Sequence, residues 1–135
     1  MGKMMISTKG RYAIRMMIDL AQHSEDGFVP LKDIAERQEI SLKYLESIVG
    51  ILSKADYVTG LHGKGGGYKL NKKPEEYKIS DILKLTEGSL APVSCLEGSP
   101  NTCPRAGKCN TLPMWEKLYR LIDDFFSGIT IKDLM

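Results

Sequence analysis

At 135 residues the chain is long enough for one domain with a real hydrophobic core. Its 42% apolar and 27% charged residues exclude a disordered chain, and 19 Lys and Arg against 17 Asp and Glu leave a net charge of +2, too small to argue by itself for nucleic acid. No apolar run approaches the roughly 18 residues of a membrane span, and residues 1–10 lack the pattern of a secretory signal, so a cytoplasmic chain with no membrane partner is expected.

The first predicted element is a helix capped by Thr8, with Ala13, Ile14, Met17, Ile18 and Ala21 at helical spacing. Glu25-Asp26-Gly27 interrupts it. A short helix fits 31–38 behind Pro30, with Leu31, Ile34 and Ala35 on one face. After a break near Glu39-Ile40, Ser41 caps a third helix, in which Leu45, Ile48, Val49 and Leu52 form an i, i+3, i+4, i+7 stripe. That stripe leaves Lys43, Ser47 and Lys54 on the opposite side, with Tyr44 and Glu46 on the flanks. Two helices joined by a short turn predict a helix-turn-helix whose second helix enters the major groove of double-stranded DNA. Ser41, Lys43, Tyr44, Glu46 and Ser47 are then the candidate DNA contacts, and Glu46 can accept from cytosine N4. The alternative is a solvated polar face.

Residues 57–61 and 67–70 read as two short strands around the tip His62-Gly63-Lys64-Gly65-Gly66. A hairpin directly after a helix-turn-helix is a wing. Its tip offers Lys64 and His62 as donors, while Gly65 and Gly66 let backbone approach a phosphate. A nucleotide-phosphate loop is disfavoured, because such glycines open a helix and these lie between strands. Lys9 and Arg11, early in the first helix, are further candidates for phosphate or the minor groove.

Ser80 is expected to cap a helix over 81–87 that Gly88 stops. Residues 89–111 form a turn-rich segment too long for a simple connector. The strongest helical pattern follows, over 112–127: Trp115, Leu118, Ile122, Phe125 and Ile129 recur as a heptad-type seam. Met114 with Leu121, and Tyr119 with Phe126, add two more stripes. A helix apolar on several sides needs two coverings. One is the protein's own core and the other is most simply the same helix of a second copy, giving a homodimer through Trp115, Leu118, Ile122 and Phe125. The competing expectation is a monomer's central helix. Thr130 is expected to cap a last turn over 131–134. The expected fold class is mainly α with a small β-hairpin: a winged helix-turn-helix DNA-binding region over 1–88, a sensor loop over 89–111 and a dimerisation helix with a C-terminal turn over 112–135, all in one compact unit.

Cys95, Cys103 and Cys109 all lie in the 89–111 segment. An odd number cannot pair fully within one chain, and a reducing compartment opposes disulfides, so the trio reads as metal ligands or reactive thiols. Enzymatic motifs are missing: there is no G-x-S-x-G, H-E-x-x-H or Walker sequence, and His23 and His62 stand apart along the chain.

Ser7-Thr8-Lys9-Gly10-Arg11-Tyr12, Ile34-Ala35-Glu36-Arg37-Gln38, Tyr44-Leu45-Glu46, Gly65-Gly66-Gly67-Tyr68 and Ile129-Thr130-Ile131-x-Asp133-Leu134 resemble the Rrf-two family of transcriptional regulators. The resemblance spans essentially the whole chain in order. It implies a dimeric winged-helix regulator whose C-terminal helix crosses its twofold mate. It also implies that Cys95, Cys103 and Cys109 are thiolate ligands of an iron–sulfur cluster of the [2Fe–2S] type, as in the family's cluster-binding branch. Leu112 stands where the cluster-biogenesis regulators place a ligating histidine, and Arg11 does not match the acidic ligand of the nitric-oxide sensors. The fourth ligand therefore falls among Glu97, Glu116, His62, a partner-chain residue, an exogenous thiol or water, with His23 disfavoured because it lies on the first helix. Zinc, a metal-free thiol switch of the cysteine-metabolism type and a non-DNA winged-helix adaptor are the alternatives.

Overall fold

The computed structural model describes residues 6–97, 104, 105 and 107–135. In chain order it comprises α1 (Thr8–Gln22), α2 (Leu31–Gln38), α3 (Leu42–Lys54), β1 (Val58–Leu61), β2 (Gly67–Leu70), α4 (Ile79–Glu87) and α5 (Leu112–Ser127), with short 3-10 turns between them. This is the mainly α architecture with one antiparallel hairpin that the sequence predicts. The core gathers Ala13, Met16, Met17 and Leu20 of α1, Ile34 of α2, the whole α3 stripe and Ile82 and Leu83 of α4. Those are the positions at which helical periodicity places apolar residues on one face.

The cap of α1 is Ser7, one residue before the expected Thr8; its Oγ accepts from Gly10 N at 3.1 Å. A distant partner decides this. Ser7 N and Oγ both donate to the Glu87 carboxylate, at 2.8 and 2.6 Å, so the last residue of α4 holds the first turn of α1. Burial alone would push the Glu87 carboxyl up, but donation from Ser7 and Thr86 and the nearby Lys9 charge outweigh it and hold it below its usual value.

Helix α4 likewise begins earlier than expected, at Ile79. Ser80 is not its cap but a buried residue inside it, and its hydroxyl accepts from Ser127 Oγ at 3.1 Å. The Ile79 N–H is satisfied by the Ile129 carbonyl at 2.9 Å, so a tertiary contact replaces a side-chain cap. The C-terminal turn runs Lys132–Leu134, with Ile131 rather than Thr130 at its cap position; Thr130 lies one residue earlier, its N–H donating to Asp133 Oδ2 at 2.9 Å and its Oγ1 accepting from Asp133 N at 3.4 Å.

Between α1 and α2 lies a buried charge. Asp19, only 1% exposed, accepts from Arg37 Nε and Nη2 at 3.1 and 2.7 Å and from Gln38 Nε2 at 2.9 Å. Desolvation is the largest influence and would raise its pKa, yet those hydrogen bonds and the Arg37 and His23 charges together leave it lowered. Arg15 adds a bond to Gln38 Oε1 at 3.2 Å. Helix α2 is thus pinned to α1 by ions and hydrogen bonds as well as by packing.

Candidate nucleic-acid interface and cysteine segment

Helix α2 ends with Glu39 in a left-handed conformation (φ 55°), and Ile40 turns into the core. Ser41 then caps α3, its Oγ accepting from Tyr44 N at 3.1 Å. Three residues therefore join the two helices, the tight connection of a helix-turn-helix. With the apolar stripe buried, Lys43, Glu46 and Ser47 are exposed together with Ser41 and Lys54. Tyr44 sits on the flank, where periodicity places it. It is half-buried, its ring packing edge-on against Tyr12 at 5.6 Å, and the Arg15 guanidinium lies over that Tyr12 ring at 5.2 Å. Periodicity alone gives no sign of this α1–α3 stack.

The hairpin pairs Val58 with Leu70 through Leu61 with Gly67, leaving His62, Lys64 and Gly65 exposed and Gly66 half-buried at the tip. Its glycines answer partly to the fold itself. A Cβ on Gly66 would stand 2.2 Å from the Leu61 carbonyl oxygen, and one on Gly67 (φ 152°) 2.3 Å from the Val29 carbonyl. The second clash marks a contact the sequence does not announce: Val29 N donates to Tyr68 O, and Tyr68 N to Val29 O, each at 2.8 Å. Below the hairpin, the Tyr77 hydroxyl donates to Tyr57 O at 2.7 Å and accepts from Asn71 N and Lys72 N, each at 3.0 Å. At the start of α1, Arg11 is exposed and Lys9 half-buried.

Helix α5 carries two apolar faces. Tyr119, Ile122, Phe126 and Ile129 pack against the core, and Lys84 of α4 pairs with Asp123 at 2.7 Å. On the other face Met114, Leu121 and Phe125 are exposed, while Trp115 and Leu118 are half-buried outside the core cluster. Of the expected seam, then, Ile122 packs inward and Phe125 points outward. Met114, Leu118, Leu121 and Phe125, spaced 4, 3 and 4 residues apart, make the outer stripe.

Leu90 and Pro92 root the cysteine segment in the fold, and a 3-10 turn follows at Ser94–Leu96. Cys95 and Cys109 are free and half-buried; Cys103 lies outside the described residues. Cys109 sits just before α5, its Sγ 3.3 Å from Thr111 Oγ1. That side-chain contact, backbone N–H groups at Thr111 and Leu112 and the Arg105 charge lower the thiol pKa, which favours the thiolate that metals bind. Among the described residues no three His, Cys, Asp or Glu side chains gather into a metal-sized group. Glu97, Glu116 and His62 are exposed, whereas His23 is engaged with Asp19, its Nδ1 2.8 Å from the Asp19 carbonyl oxygen.

A helix-turn-helix followed by a clamped hairpin, with a polar outer face on its second helix, defines a winged-helix DNA-binding regulator of transcription. The family model of the Rrf2 iron-dependent transcriptional regulators matches residues 6–135. Protein rrf2 of Nitratidesulfovibrio vulgaris is 40% identical over 136 residues, covering 98% of this chain and 87% of the relative. Among solved structures, T. potens IscR is 38% identical with a TM-score of 0.76, covering 96% of this chain and 85% of that one. CymR, the global cysteine regulator of B. subtilis, is 32% identical with a TM-score of 0.80, covering 96% and 95%. The chain belongs to the Rrf2 family, whose members here are regulators and not enzymes. No described helix is long and apolar enough to cross a membrane.

Proposed function

We propose that the chain acts in the cytoplasm as a homodimeric repressor that senses iron–sulfur or redox status through Cys95, Cys103 and Cys109. In this reading residues 1–88 bind operator DNA, 89–111 hold the sensor, and the outer stripe of α5 within 112–135 meets a second copy. Lys43, Glu46 and Ser47 face the major groove, Lys9, Arg11, His62 and Lys64 meet the backbone or minor groove, and Gly65 and Gly66 bring the tip close. The three thiolates would hold a [2Fe–2S] cluster, completed by a fourth ligand other than Leu112. When bound, such a cluster supplies a one-electron redox couple and iron–thiolate bonds sensitive to iron and oxidants.

The observation that supports cofactor binding is the grouping of all three cysteines in residues 89–111, with Cys109 at the foot of α5, where Thr111, backbone N–H groups and Arg105 lower its thiol pKa. Ligand binding changes DNA affinity only by favouring one conformation over another, by about 1–3 kcal/mol in typical couplings. Anaerobic reconstitution with iron and sulfide should give a visible chromophore, bound iron and a shifted DNA affinity, all lost when the three cysteines are replaced by Ser. A chromophore that survives the triple replacement would refute the ligand assignment. A chain that takes up only zinc would refute the cluster. A second reading draws on the structural likeness to the cysteine regulator CymR and on Leu112 in place of a histidine: a metal-free thiol switch, in which oxidant alone changes DNA affinity.

A further inference from the structure

We propose that Leu42 is a base-reading residue whose side chain meets the C5 methyl of a thymine in the major groove; this rests on α3 being the recognition helix. Leu42 is the first residue of α3 and is 42% exposed. The fold makes little use of it. Ser41 supplies the cap, and Ile40 and Leu45, at the positions of a hydrophobic staple, fill the inner side of the helix start. Leu42 is absent from the residues packed on the core. An exposed first-turn position favours a polar or acidic side chain, because orphan N–H groups and the positive end of the helix dipole lie there. A leucine at this point gives up that stabilisation and exposes hydrocarbon to water.

Its position explains the choice. Among the described residues the exposed large apolar side chains are Leu42, Leu61, three on the outer face of α5 and two at the chain's end. On α3 only Leu42 is at once large, apolar and exposed: it stands at the edge of the apolar stripe, three residues before Leu45, on the side that carries Glu46 four residues on. Residues four apart share a helix ridge, so Leu42 lies one turn from Glu46 toward the N-terminus, the end of a recognition helix that reaches base edges. One turn advances about 5.4 Å, and a base pair about 3.4 Å. The thymine therefore falls one or two base pairs from the pair that Glu46 meets. A single leucine between charged side chains is too small a patch for protein docking. The only hydrocarbon a major groove offers it is the thymine methyl.

The test uses the full chain and a duplex that it selects from a random pool. Each thymine is replaced in turn by deoxyuridine, which removes the methyl and leaves pairing unchanged. One replacement in a single half-site should weaken wild-type binding about fourfold, the effect of one buried methyl. Leu42→Ala should bind the thymine duplex about fourfold more weakly per half-site and be indifferent to that replacement, whereas Leu42→Met should stay sensitive. Wild-type protein indifferent to every replacement, or Leu42→Ala retaining the full penalty, would overturn the assignment while leaving DNA binding intact. If no duplex with salt-dependent affinity is selected, the recognition-helix reading falls and this one with it.

Discussion

Removing Arg37 should destabilise the protein more than removing its partner Asp19. The two ends of the pair are unequal: the Asp19 side chain is 1% exposed and that of Arg37 is 37% exposed. In Asp19→Ala the guanidinium is already partly in water and rehydrates, so the variant loses hydrogen bonds but strands no buried charge. In Arg37→Ala the carboxylate stays buried, keeping the Gln38 donor at 2.9 Å and His23 at 3.6 Å. Stranding one charge of a fully buried pair costs about 3–5 kcal/mol; with Gln38 still donating, a cost of about 2–3 kcal/mol at pH 7 is expected, against about 1–2 kcal/mol for Asp19→Ala. The pH dependence differs in sign between wild type and Arg37→Ala. In the wild type the lowered Asp19 pKa adds stability above the ordinary carboxylate range and loses it as pH falls through the folded value. Without Arg37, burial dominates and raises that pKa, so the variant gains relative stability on acidification and the gap narrows toward pH 4. Urea unfolding of both variants and the wild type at pH 7 and pH 4.5 measures this. Equal costs at pH 7, or a gap that widens in acid, would refute the reasoning.

Glu87→Gln should cost about 1–2 kcal/mol at pH 7, and the difference should shrink in acid. Its lowered pKa means the Ser7 lock is fully present above the ordinary carboxylate range and lost below it, which urea titrations at pH 7 and pH 3 would show. Lys64→Ala should weaken all duplexes alike and lower the slope of log affinity against log salt by about one, as fluorescence anisotropy across a salt series would record. Leu118→Asp with Leu121→Asp should give a folded monomer in sedimentation, since neither residue packs on the core. Ile122→Asp should instead unfold the chain, which circular dichroism would detect.

Much of the fold was legible because helical periodicity is local. The stripe from Leu45 to Leu52 identifies the inner face of α3 without reference to anything else, and with it the outer position of Lys43, Glu46 and Ser47. The errors fall where a remote partner decides. Thr8 and Ser80 both look like caps, but Glu87 fixes the start of α1 and the Ile129 carbonyl that of α4. On α5 two seams run one residue apart, one through Leu121 and one through Ile122, and spacing cannot say which meets the core until α4 is in place. Tyr44 was half legible: its turn of the helix was right, but its ring belongs to Tyr12. Leu42 went unnoticed because an apolar residue in an amphipathic helix looks like core until its exposure is known.

The paired hydrogen bonds between Val29 and Tyr68 fasten the hairpin to the residue that precedes Pro30, the entry to α2. A hairpin held only at its two chain ends would pivot, letting its tip find a phosphate wherever the duplex offered one. Here the strand base is tied directly to the entry of α2, and through the short turn to α3, so hairpin and helix-turn-helix are held as one gauge. On the DNA contacts proposed above, an extra base pair between a step read by α3 and one touched by the tip would move one contact by about 3.4 Å along the axis and swing it around the helix. A gauge this stiff would not follow both, so on that proposal spacing variants of a half-site should lose binding more steeply than base changes at fixed spacing.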